Sequence, residues 1–135
     1  MNTQSVIYIV DDDASVLRAL RRLIKAMGFT VETFASAEDF LQSGHRKKRG
    51  CLILDIQLPG MDGFDLQKRL AASDCRIPLI FITAHEDTKV RVRALEAGAA
   101  FLQKPFDEQA LLNAINTALG LSAVKKSELK DSREE

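Results

Sequence analysis

Five short apolar runs, Val6 to Val10, Thr30 to Phe34, Cys51 to Leu54, Leu79 to Thr83 and Ala100 to Gln103, alternate along the chain with stretches of helical period. Runs of four or five apolar residues bounded by polar clusters read as strands, and recurrence at three- and four-residue spacing reads as helix. The first helical stretch sets Val16, Leu17, Leu20, Leu23, Ile24 and Met27 on one stripe, keeps Arg18, Arg21, Arg22 and Lys25 mostly off it, and stops at Gly28. Ser36 is a good N-cap for a second helix that buries Ala37, Phe40 and Leu41. A third helix starting near Phe64 uses Phe64, Leu66 and Leu70; a fourth runs from about Asp87 to Ala97 and stops at Gly98. The fifth starts near Asp107 as N-cap and carries Leu111, Leu112, Ile115 and Leu119 to Gly120.

The order is therefore (βα)5. "CLIL" and "LIFI" are apolar at every position, which suits central strands of a parallel sheet covered on both faces, whereas "TVETF" mixes polar and apolar residues as an edge strand does. Right-handed crossovers then predict an α/β, three-layer, doubly wound sandwich with the flavodoxin-like strand order 2-1-3-4-5. In such a sheet the ligand site lies at the carboxyl ends of strands one and three.

Composition narrows the function classes. With 135 residues, 46% of them hydrophobic, the chain suits one domain, read as residues 1–120, followed by a polar linker or tail, 121–135, "LSAVKKSELKDSREE". Nineteen basic and nineteen acidic residues balance, so no domain-wide positive field favours nucleic acid. No signal peptide and no apolar run of membrane length is apparent, which points to a cytoplasmic protein without a membrane partner. Cys51 and Cys75 lack metal-site or redox spacing and read as reduced packing residues. His45 and the run "HRKKR" read as a solvated loop, since no aromatic interleaves the charges.

The chemistry lies at the strand ends. Strand one delivers Asp11 and Asp12, strand three Asp55, strand four Thr83 and strand five Lys104. Two like charges about 4 Å apart repel by roughly 4 kcal/mol at an effective dielectric near 20, so clustered acids need a cation or another compensating partner. Any one of these residues could be a cap or turn residue; five at one sheet edge point to a site.

These motifs, "DDD" after strand one, "LDIQLPGMDG", "FITA" and "KPF", resemble the receiver domain of two-component response regulators over about residues 5 to 120. The resemblance implies that Asp55 accepts a phosphoryl group from a sensor histidine kinase with Mg2+ required, Mn2+ being a substitute. It implies Asp12 and Asp55 as direct metal ligands, Gln57 through its backbone carbonyl and Asp11 mainly through water, with Asp13 as charge support or a helix N-cap. Thr83 and Phe101 would be the switch pair, and Lys104 would be aimed at the site by a cis bond to Pro105. Magnesium takes octahedral oxygen ligands and keeps waters, so carboxylates, a carbonyl and a phosphate oxygen suit it. An aspartate can attack phosphorus once metal, ammonium and backbone N–H groups offset the incoming charge. The turn "LPGMDG", with Pro59, Gly60 and Gly63, keeps the site shallow, and Gln57 and His85 stand where a side chain could set the lifetime of the acyl phosphate.

"SAEDFL" and "GFTVETF" look similar to the FixJ/LuxR-type branch, whose receivers usually precede a helix-turn-helix domain. No output domain follows in this chain, so DNA would be contacted only through a domain absent from it. The alternative is a stand-alone regulator acting by protein binding. A phosphatase acting through an aspartyl phosphate is disfavoured by the lack of a second acid two residues past Asp55, and an FMN carrier by acids where a phosphate-cradling loop belongs. The chain is not expected to be an enzyme beyond its own phosphorylation and autodephosphorylation. Helix four carries Val90, Val92, Ala94, Leu95 and Ala97 around more of its circumference than the sheet can cover, with Lys89, Arg91, Arg93 and Glu96 as a rim. That surplus predicts a phosphorylation-dependent homodimer through helix four and strand five.

Overall fold

The computed structural model describes residues 6–44, 50–58, 60–75, 77–84, 88–96, 100–104 and 106–120. The order is β1 (Val6–Val10), α1 (Ala14–Ala26), β2 (Thr30–Phe34), α2 (Ala37–Gln42), β3 (Gly50–Asp55), α3 (Gly63–Ala72), β4 (Leu79–Thr83), α4 (Thr88–Glu96), β5 (Ala100–Gln103) and α5 (Glu108–Ala118). All five strands are parallel and lie in the order β2-β1-β3-β4-β5. The doubly wound α/β architecture expected from the alternation of runs is thus the one observed. β3 extends one residue further at each end than its apolar core, because Gly50 still pairs with Val6 of β1 and Asp55 with Ile82 of β4.

Alternation along the strands separates two cores, as side chains in a strand point to opposite faces in turn. Tyr8, Val10, Leu52, Leu54 and Phe81 pack with Phe40, Phe64, Leu66 and Ala94 on the face covered by α2, α3 and α4. Ile7, Ile9, Ile53, Ile80 and Ile82 pack with Leu20, Ile24, Leu111 and Ile115 of α1 and α5 on the other. Each Val, Leu, Ile or Phe side chain among them that is fully removed from water contributes about 1.5–3 kcal/mol. β2 is the half-exposed edge that its mixed composition predicts.

Helix starts follow local chemistry. The Asp13 carboxylate accepts from the N–H groups of Ser15 and Val16, Ser36 Oγ from Asp39 N–H, and Asp107 from Ala110 N–H. Helix α3 begins with a reciprocal capping box between Asp62 and Asp65, which the sequence reading did not single out. Asp in place of the usual Glu at the third position made the signal easy to pass over.

His45, Pro59, His85, Asp87, Ala97, Gly98, Pro105 and the tail from residue 121 lie outside the described residues, and with them the expected Lys104–Pro105 geometry. Among the described residues no helix is long and apolar enough to cross a membrane.

Candidate functional site

β1 and β3 are neighbours, yet the helices that follow them cover opposite faces, so a crevice opens where the two chains diverge. The residues leaving β1 and ending β3 meet there. Asp11 is buried, Asp12 exposed, and Asp55, 7% exposed, closes β3. One carboxylate oxygen from each of the three lies within 4.8 Å of the others.

From the far side, Lys104 Nζ stands 3.4 Å from Asp11 Oδ2. Its backbone N–H donates to the Thr83 carbonyl at 2.8 Å, which ties the end of β5 to the end of β4 and brings the buried Thr83 and the lysine to the same edge. Asp11 Oδ1 accepts from Asp13 N–H at 2.9 Å, so both oxygens of Asp11 are held by protein groups. Asp55 Oδ1 accepts from Gln57 N–H at 3.0 Å. All five residues that the strand-end reading brought together, Asp11, Asp12, Asp55, Thr83 and Lys104, therefore do meet at one sheet edge.

The electrostatics are uneven. Desolvation pushes the Asp55 carboxyl up to about 6; the Gln57 N–H opposes the shift, Asp11 adds to it, Lys104 opposes it and Asp12 adds a little. The Ser15 hydroxyl and amide hold the exposed Asp13 carboxyl below its usual range, in keeping with its capping role. A divalent cation fits this donor set: the oxygens are hard, they converge, and the cost of keeping Asp55 ionised among acids is one that such a cation removes.

Gly63 has a role the sequence reading gave only to the turn. Its N–H donates to Ile56 O at 3.0 Å, and a Cβ there would stand 2.9 Å from Ile56 Cα and 3.0 Å from the Asp55 carbonyl oxygen. The first turn of α3 thus packs directly against the backbone carrying Asp55. No pattern within "MDG" reveals this, because the contact is between elements.

Phe101 on β5 is half-buried, on the α4 side of the sheet, and lies in register with Phe81 of β4. On α4, Val92 and Leu95 are 45% and 55% exposed while Ala94 is buried, so apolar surface is indeed left over. Arg93 does more than rim that patch: its guanidinium carbon lies 4.1 Å from the centre of the Phe64 ring. Cys51 is buried and its thiol is pushed up to about 12 by desolvation, the behaviour of a packing residue, and Cys75 is half-buried and not in a disulfide.

A five-stranded 2-1-3-4-5 sheet with acids at its switch point and a threonine and lysine on the adjoining strand ends is the arrangement of a signalling receiver. The chain belongs to the response regulator receiver domain family, whose model matches residues 7–116. It is 49% identical over 142 residues to the response regulator protein TmoT of Ectopseudomonas mendocina, covering 99% of this chain and 64% of that protein. The transcriptional regulatory protein FixJ of Azorhizobium caulinodans is 37% identical over 130 residues, covering 96% and 61%. Among solved structures, the response regulator StyR superposes with a TM-score of 0.81 at 47% identity, over 94% of this chain and 65% of that one. The chain thus spans about three-fifths of the length of these relatives, and it is a receiver domain of two-component response regulators, with similarity to the FixJ-like branch.

Proposed function

We propose that Asp55 is the phosphoacceptor. An Asp55 carboxylate oxygen attacks phosphorus of a phosphohistidine on a sensor histidine kinase; the P–N bond breaks, an acyl phosphate forms, and the imidazole leaves with its electron pair and takes up a proton. The observation that carries this reading is the convergence of three carboxylates within 4.8 Å, with the Lys104 ammonium 3.4 Å from Asp11.

Asp12, Asp55 and the Gln57 carbonyl would hold Mg2+ directly, or Mn2+ in its place, and Asp11, both of whose oxygens already have protein partners, would act through water. The bound cation supplies positive charge next to the phosphoryl oxygens. Lys104 neutralises a further phosphoryl oxygen, Gln57 N–H orients the nucleophile, and the Thr83 hydroxyl donates to the product. The domain catalyses only its own phosphorylation and dephosphorylation.

Thr83 moving toward the phosphoryl group and Phe101 turning inward would pass the change to α4 and β5, where pairing of two copies covers Val92 and Leu95. Residues 1–120 act as the receiver and 121–135 as a linker, in the cytoplasm, with a transcriptional output as in the relative named a transcriptional regulatory protein. Phosphoramidate and Mg2+ should add one phosphoryl mass to the wild type and none to Asp55→Asn. Equal labelling of that variant would remove the assignment. Sedimentation with beryllofluoride and Mg2+ should show a dimer; a persistent monomer would remove the dimer and leave a receiver that acts as a monomer by releasing an attached domain.

A further inference from the structure

The first turn of α3 is bound to the acceptor backbone on one side and to α4 on the other. Gly63 N–H donates to Ile56 O at 3.0 Å, and the glycine packs on the Asp55–Ile56 backbone with no room for a Cβ between them. The next residue, Phe64, is 4% exposed and sits 4.9 Å from the Phe81 ring, two positions before Thr83 on β4. Over the same ring lies the Arg93 guanidinium, from the helix that exposes Val92 and Leu95. The ring therefore belongs to the acceptor side of the molecule, and the cation to the helix that follows Thr83.

We propose that the Arg93–Phe64 contact is a latch on the resting arrangement, which makes Arg93 a positioning residue that acts on the acceptor through Phe64. The inference rests on Asp55 being the acceptor. If Thr83 is drawn toward a phosphoryl group and α4 changes place with it, as the proposed switch requires, Arg93 must slide across the Phe64 ring. A contact made in one arrangement and lost in the other biases the equilibrium between them, and its loss favours whichever ligand selects the second. Arg93 is exposed apart from the ring, so its removal leaves the core intact.

The test is calorimetric titration of beryllofluoride at saturating Mg2+. Arg93→Ala should bind the mimic roughly two- to fivefold more tightly than wild type, the scale of one exposed cation–π contact, and Arg93→Lys, which keeps a cation over the ring, should fall between them. Phe64→Leu, which stays apolar but removes the π face, should tighten binding similarly, and the double variant should gain no more than either single one. A purely structural role would lower unfolding stability without raising affinity. Unchanged or weaker binding by Arg93→Ala, or additive gains in the double variant, overturns the latch while leaving the acceptor intact. Wild type that binds no mimic removes the acceptor reading, and the latch with it.

Discussion

The two ends of β3 are buried alike and behave in opposite ways. At its start, Cys51 is buried among apolar side chains and burial alone acts on it, pushing the thiol up to about 12 and leaving it protonated and inert. At its end, Asp55 is also largely withdrawn from water, but an N–H, two acids and an ammonium act on it as well, and the carboxyl is poised near 6. Burial silences a titratable group; burial combined with nearby charges of both signs makes it responsive. Each end is also closed by a glycine, and the two glycines differ in what they hold. Gly50 has φ 130° and a Cβ there would fall 1.8 Å from the Val6 carbonyl oxygen, backbone against backbone. A Cβ at Gly63 would fall 2.9 Å from Ile56 Cα and 3.0 Å from the Asp55 carbonyl oxygen, so it is the main chain beside the carboxylate cluster that this glycine lets α3 approach.

The largest effect expected from this contrast is on stability at the silent end. Gly50→Ala should cost more than ~3 kcal/mol, because neither β1 nor β3 can retreat in the middle of a sheet. Gly63→Ala should cost less in urea unfolding yet weaken Mg2+ binding and slow phosphorylation. Equal stability losses with unaltered metal binding would show that the two glycines serve the same end.

The pH dependence comes next. In metal-free protein the native Asp55 carboxyl holds its proton to about pH 6, whereas an ordinary aspartate loses it near 3.8, so between these values the native state binds the extra proton. Its contribution is full below about pH 4 and fades as the pH rises through 6, by roughly 1–2 kcal/mol after allowance for solvent screening. Asp55→Asn should remove that slope from urea unfolding curves between pH 4 and 7. A slope that survives in the variant would belong to another group. The same raised value predicts that Mg2+ binding to wild type weakens below pH 6, as proton and cation compete for one carboxylate.

A smaller shift is expected from Asp12→Ala. Without metal it should melt at most a few degrees above wild type, since one repelling acid has gone, and it should lose most of the stabilisation that Mg2+ gives the wild type. A metal response equal to wild type would take Asp12 out of the ligand set. The smallest functional effect should follow Cys51→Ala: a stability loss of about 1 kcal/mol for the small void and no change in phosphorylation. In the folded wild type, Cys75 should alkylate well before Cys51; the reverse order would contradict the inert assignment.

Much of this was legible in the residues. The apolar alternation located every strand, Ser36 and Asp107 announced their helices while Asp13 was left between charge support and an N-cap, and the acids after strands one and three, with Thr83 and Lys104, marked the edge where chemistry belongs. What escaped was of one kind. The Asp62–Asp65 box was local but used an unfamiliar residue, while the Gly63 packing, the Gly50 approach to Val6 and the Arg93–Phe64 contact join residues distant in sequence.

Local patterns decide which face of its own element a side chain occupies, because backbone geometry has fixed periods of 2 and 3.6 residues. They carry no record of how closely one element approaches another. The sequence by itself thus determined the order of strands and helices, the two apolar cores and the identity of the groups at the switch point. Only the tertiary structure decided that three carboxylates approach within 4.8 Å, that Lys104 engages Asp11, and that an arginine expected to rim α4 lies on the Phe64 ring, since those distances depend on how layers pack.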